Sequence, residues 1–205
     1  MSAQFLMITE IDVVPEESQE VISQWRSLIA ADEVIDRSFY RSVEGDKVIE
    51  ISALKSLALN PSLLASFSNA WEALGTYMKS DFRRQLLQFV EAPKDTRDNT
   101  PSTPYLQLRH VEVPPGNFKG YRKWRDETIF DVVRNAEEVE VFLAYHSVIS
   151  NEPGVMFLSG FSNSVDAYQS VFNSERYKNI VQQAGDQYIT GGQNGLYTRL
   201  YRLVS

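Results

Sequence analysis

The chain holds two imidazoles, His110 and His146, and each falls in a stretch that reads as a β-strand, residues 105–113 and 139–149. Imidazole titrates near neutrality, so a histidine turned into a cavity can carry a proton to or from a bound molecule. Strands of this kind can lie side by side, and on that basis His110 and His146 are the candidate catalytic residues. The ordinary alternative is a strand histidine that satisfies a local hydrogen bond or faces solvent. Neither lies in a close ligand spacing, so no metal site is expected. Tyr40 and Tyr145 are candidate substrate-binding residues, because a phenol in a cavity wall can donate or accept one hydrogen bond. Arg109 is the third: it can grip an acidic group if its face of the strand is the cavity face. Strand alternation sends Arg109 and His110 to opposite faces, and does the same to Tyr145 and His146.

Several other chemistries are excluded by what the sequence lacks. With no cysteine there is no thiol nucleophile, thiolate metal site or disulfide. This composition is compatible with a reducing cytoplasm, the expected compartment. Asp12, Glu16, Asp126 and Asp131 share no spacing that would make a carboxylate pair or a cation site, and read as capping or surface residues. The segment Thr190-Gly191-Gly192-Gln193-Asn194-Gly195 lacks the lysine of a phosphate loop and precedes a strand, so it reads as a turn or pocket lid. The 27 acidic and 20 basic side chains give a net charge of -7, the wrong sign for attraction to phosphate backbones or anionic lipid. No long apolar run suggests a signal or a membrane span. Neither nucleic acid nor membrane is therefore expected as a partner.

The elements that must position these residues occur in a repeated order. Residues 5–14 read as a strand closed by Pro15. Val21, Trp25, Leu28 and Ile29 recur on one helical face. Residues 34–43 and 47–54 form a hairpin around Glu44-Gly45-Asp46. Asn60-Pro61 opens a second helix, whose apolar stripe runs through Leu63, Leu64, Phe67, Ala70, Trp71, Leu74, Tyr77 and Met78. Residues 82–90 close the first half as a strand. The second half repeats this with a strand at 105–113, a helix over 118–135, a hairpin of 139–149 and 155–161, a helical region divided near Asn173-Ser174, and a strand at 196–204. The proline-rich stretch 92–104 reads as a linker between halves 1–91 and 105–205.

Local likenesses support an internal duplication. Trp25-Arg26 and Trp124-Arg125 lie 99 positions apart at matching points of the first helices. Tyr40, Ser42 and Val43 match Tyr145, Ser147 and Val148 at an offset of 105. Phe82-Arg83-Arg84-Gln85-Leu86-Leu87 resembles the ending Tyr197-Thr198-Arg199-Leu200-Tyr201-Arg202. The paired tryptophans read as packing residues, with Arg26 and Arg125 facing solvent or bracing a carboxylate.

This order resembles the dimeric α/β-barrel superfamily of ferredoxin-like proteins, including antibiotic-biosynthesis-monooxygenase-like and NIPSNAP-like members, here in tandem duplication. Ser164-Val165-Asp166-Ala167-Tyr168 and Asn173-Ser174-Glu175-Arg176-Tyr177 look like the short helical segments before the last strand of those proteins. The resemblance implies an α+β fold of two β-α-β-β-α-β halves that close one barrel within the chain. It also implies a pocket for a small apolar or aromatic molecule, served by a monooxygenase-like or cyclase-like activity or by binding alone; the other alternative is a structural or assembly protein whose sheet faces are wholly filled. No cofactor is expected; haem, held by one axial histidine, is the alternative the resemblance brings. Further homo-oligomerisation stays open, since the duplication supplies internally what related proteins build by dimerising.

Overall fold

The computed structural model describes residues 1–204, with only the backbone of Gln193; Ser205, the last residue of the expected second half, lies outside the described residues. The first six elements are β1 (Phe5–Asp12), α1 (Ser18–Ser27), β2 (Val34–Ser42), β3 (Lys47–Leu54), α2 (Pro61–Leu74) and β4 (Arg83–Lys94). The same order follows in β5 (Tyr105–Val111), α3 (Phe118–Glu127), α4 (Ile129–Asn135), β6 (Val141–Ile149), β7 (Val155–Phe161), α5 (Val165–Phe172), α6 (Glu175–Gln187) and β8 (Tyr197–Leu203). The strands close an eight-stranded antiparallel barrel in the order β1-β3-β2-β8-β5-β7-β6-β4. Each half's last strand therefore borders the other half: β4 pairs with β6, and β8 pairs with β2. This is the α+β, ferredoxin-like barrel that the element order implied. No helix among the described residues is long and apolar enough to cross a membrane.

Local sequence explains most boundaries. Asn60 caps α2 by accepting from the Leu63 amide at 2.9 Å, and Pro61 occupies a first-turn position that needs no donor. Ser164 and Ser174 cap α5 and α6 in the same way, each accepting at 3.2 Å, so the expected division of that region is a new N-cap. Three expectations need correction. The helix over 118–135 is two helices broken at Thr128, whose backbone leaves the helical region while its hydroxyl bonds back to the Trp124 carbonyl at 2.6 Å. Helix α1 stops at Ser27 because Leu28 is extended, which leaves Ile29 exposed instead of on the buried stripe. Strand β4 runs to Lys94, into the stretch read as linker.

Facing pairs in the registers define the two faces of the barrel wall. Leu6 faces Leu87, Ile8 faces Gln85 and Glu10 faces Arg83 on the inside; Met7, Thr9 and Arg84 alternate outward under α1 and α2. Trp25 fills that outer layer, edge-on to Phe39 and Phe82. Helix α2 ends at Leu74, so Tyr77 and Met78 lie beyond the expected stripe; on the helix Leu63, Ala70 and Leu74 are buried whereas Leu64 and Trp71 are exposed. Arg125, expected on the surface or against a carboxylate, is fully buried beneath α3 and paired with Glu91.

Candidate functional site

Because neighbouring strands run oppositely, the ends of β1 and β5 meet the starts of β3, β4 and β8 at one mouth of the barrel. Below that mouth the barrel is filled. The Tyr145 hydroxyl donates to the Ala3 carbonyl at 2.8 Å, and the Tyr40 hydroxyl donates to the Pro101 carbonyl at 2.8 Å and the Thr103 carbonyl at 3.4 Å. Each phenol thus reaches from its own half to the segment that leads into the first strand of the other half. Both side chains are fully buried, and burial pushes both phenols well above the usual tyrosine range. They plug the end opposite the mouth.

At the mouth, the inward face of β1 continues from Leu6 and Ile8 to a carboxylate. Glu10, whose side chain is only 10 % exposed, accepts from the Tyr201 hydroxyl at 2.8 Å and from Arg199 Nη1, with Lys47 Nζ and Arg83 Nη1 each at 3.7 Å. One further turn of alternation brings Asp12 to Lys47, to Arg83 Nη1 at 2.8 Å and to Ser80 Oγ at 2.9 Å. Burial pushes the Asp12 carboxyl up, but those three hydrogen bonds outweigh it and hold the group well below the usual carboxylate range. Tyr201 moves the other way: desolvation first, then the facing Glu10 carboxylate, raises it well above its ordinary value. It therefore stays a neutral donor at any physiological pH. The Arg199 guanidinium lies over the Tyr197 ring at 4.1 Å.

Glu10, Lys47, Arg83, Tyr197, Arg199 and Tyr201 line a cavity of about 260 Å³. Ile8, Leu108 and Met156 form its apolar floor, and Ser150, Asn151 and Glu152 of the β6–β7 connection form part of its rim. Gln85 donates to Glu152 at 3.2 Å, which joins that connection to β4. His110 holds the same connection from the other side. Its Nε2 lies 2.8 Å from the Pro153 carbonyl, and since a carbonyl only accepts, that nitrogen carries the proton. Gly154 completes the turn with φ of +126°, where a side chain would also strike the Val111 carbonyl.

The structure separates the residues singled out by sequence. His110 is inside the barrel, facing Met156 and Tyr197. His146 points out and is exposed against Phe118, with ring centroids 5.5 Å apart, so the two imidazoles do not approach a common cavity. Arg109 also points out, under α6, donating to the Tyr177 hydroxyl at 2.8 Å and to Thr198 Oγ1 at 3.1 Å. Tyr40 and Tyr145 are inside but spend their hydroxyls on backbone at the plugged end. Glu10, Arg199 and Tyr201 were not anticipated as a group. One signal was present: Leu6, Ile8, Glu10 and Asp12 share a face, and so do Tyr197, Arg199 and Tyr201. An inward charge on each of two strands that otherwise bury apolar groups requires a partner.

The histidine-ligated haem that the resemblance brought has no axial ligand at this cavity, because such a ligand needs its imidazole on the cavity wall. His110 has committed Nε2 to Pro153 and does not line the cavity, while His146 lies on the outer surface.

No protein family matches this sequence, and no curated protein is similar to it in sequence. Solved structures do share its fold. An anthrone oxidase-like protein superposes with a TM-score of 0.70 at 12% identity, over 98% of this chain and 92% of that one. A monooxygenase-like protein from Listeria innocua gives 0.56 at 5% identity, over 98% and 95%. A heme-degrading enzyme from Listeria monocytogenes gives 0.56 at 6%, over 97% and 98%. At such identities the likeness is one of fold.

Proposed function

We propose that this tandem barrel binds a small organic molecule in its mouth, with an apolar or aromatic body on Ile8, Leu108 and Met156 and a polar end among Glu10, Arg83 and Arg199. The observation that carries the reading is the contrast between the two ends of one barrel: Tyr40 and Tyr145 fill one, whereas the other keeps about 260 Å³ between an apolar floor and a charged rim. A pocket of apolar walls with a few placed polar groups is the usual form of a small-molecule site. A single ring burying about 150 Å² on that floor contributes about 4 kcal/mol before ordering costs, enough for binding that the rim then makes selective. In this reading His110 serves the site by holding the β6–β7 connection. Oxygenation and cyclisation of an electron-rich ring are the turnover assays to run on molecules that bind, since fold neighbours carry oxidase and monooxygenase names.

The test is a screen of one-ring and two-ring compounds by ligand-observed NMR, repeated on Ile8→Phe, which puts a ring into the cavity floor. Hits should disappear in a variant whose circular dichroism and melting remain cooperative. Hits that bind the folded variant as well as the native chain would place the site elsewhere and end this reading.

A further inference from the structure

The charge on the cavity wall is at odds with the charge of the chain. A protein of net charge -7 lines this cavity with the side chains of Lys47, Arg83 and Arg199 against those of Glu10 and Glu152. Asp12, just behind them, brings the site to three cations and three carboxylates, balanced where the chain as a whole is acidic. Glu10 is already engaged by Arg199 and Tyr201, and Asp12 by Lys47, Arg83 and Ser80. With these carboxylates occupied by protein donors, the wall's remaining hydrogen-bonding capacity is that of its guanidinium groups, which only donate.

The geometry of the two rim arginines gives those donors a shape. Among the described residues, every hydrogen bond from the side chains of Arg83 and Arg199 to protein leaves through Nη1. A guanidinium has five donors in a planar fork, so Nε and Nη2 of each remain for a ligand. Arg83 is 54 % exposed at the rim and Arg199 28 %, within reach of a molecule that enters the mouth. A planar acid accepts two parallel bonds from such an edge; a neutral amide or alcohol of the same shape does not.

Resting on the reading of the mouth as a small-molecule site, we infer that its ligand is an acid: an aromatic carboxylate whose ring lies on Ile8, Leu108 and Met156 and whose carboxylate is gripped by the free edges of Arg83 and Arg199.

The experiment compares 2-naphthoate with 2-naphthamide, which share a body and differ in charge. Binding is followed through the methyl resonances of Ile8 and Met156 and by calorimetry, at low and high salt. The acid should bind at least tenfold more tightly than the amide, and the preference should shrink with salt. It should largely vanish in Arg83→Gln. Arg83→Lys, which keeps the charge and the pairing with Asp12 but not the fork, should lose most of it as well. An amide that binds as tightly as the acid would overturn the acidic ligand and leave the pocket standing. An acid preference that persists in both variants would also overturn it. If neither compound moves the Ile8 and Met156 methyls, the pocket itself is refuted, and the ligand class with it.

Discussion

Removal of one oxygen atom tests how the two halves are held together. Tyr145→Phe keeps the ring, including its edge contact with Phe89 at 5.5 Å, and deletes only the donor to the Ala3 carbonyl 142 residues away. A typical hydrogen bond contributes about 1 kcal/mol net, and a buried carbonyl left unpaired adds about 1 kcal/mol or more. We therefore expect a loss of about 1–2 kcal/mol, which for a domain of this length lowers the melting temperature by about 2–8 °C. Tyr40→Phe should cost a similar amount, since the Pro101 carbonyl loses its donor. The acceptors differ, so the double variant should be additive within about 0.5 kcal/mol. Urea unfolding with an unchanged m-value is the assay. The phenol predicts a pH dependence too. Its folded pKa is raised above the ordinary value of 10.0, so its contribution is complete below that pH and declines as pH rises above it. Tyr145→Phe should show a shallower alkaline decline than the native chain. A variant within about 0.3 kcal/mol of native stability, below the cost of a buried unpaired carbonyl, would refute the claim that these phenols lock one half to the other.

Two further outcomes follow from the mouth. Asp12 has a depressed folded pKa, so its stabilisation is complete above its ordinary value of 3.8 and is lost as pH falls through the folded value; Asp12→Asn should flatten the acid limb of a stability profile measured by urea titration. Gly154→Ala would place a methyl 2.3 Å from the Val111 carbonyl at φ of +126° and should cost about 2–4 kcal/mol. The Ser147 amide, which bonds the Gly154 carbonyl at 2.8 Å, should then exchange faster, and native exchange there would show that the turn relaxes freely.

What the sequence by itself determined is the order of elements and its repetition. Strand alternation, helical stripes and turn residues are local signals, and Pro15, Asn60-Pro61 and Ser174 each mark a boundary through chemistry within a few residues. Where competition was equally local but finer, the reading failed: nothing in 118–135 alone shows that Thr128 turns its hydroxyl to Trp124 and divides the helix. Alternation likewise separated Tyr145 from His146, but not which of the two faces inward. That was decided by pairing: Tyr145 lies across from Met156 in β7 and beside Phe89 in β4, and their common face is the inside of a barrel that exists only once β4 and β8 have crossed to the opposite half. The candidate site depended on the same closure. Glu10 and Arg199 are 189 residues apart, on strands that are not neighbours, and they meet only across the barrel's interior. Spacing along a chain carries no information about such a contact, because the wall's curvature and register bring the two charges together.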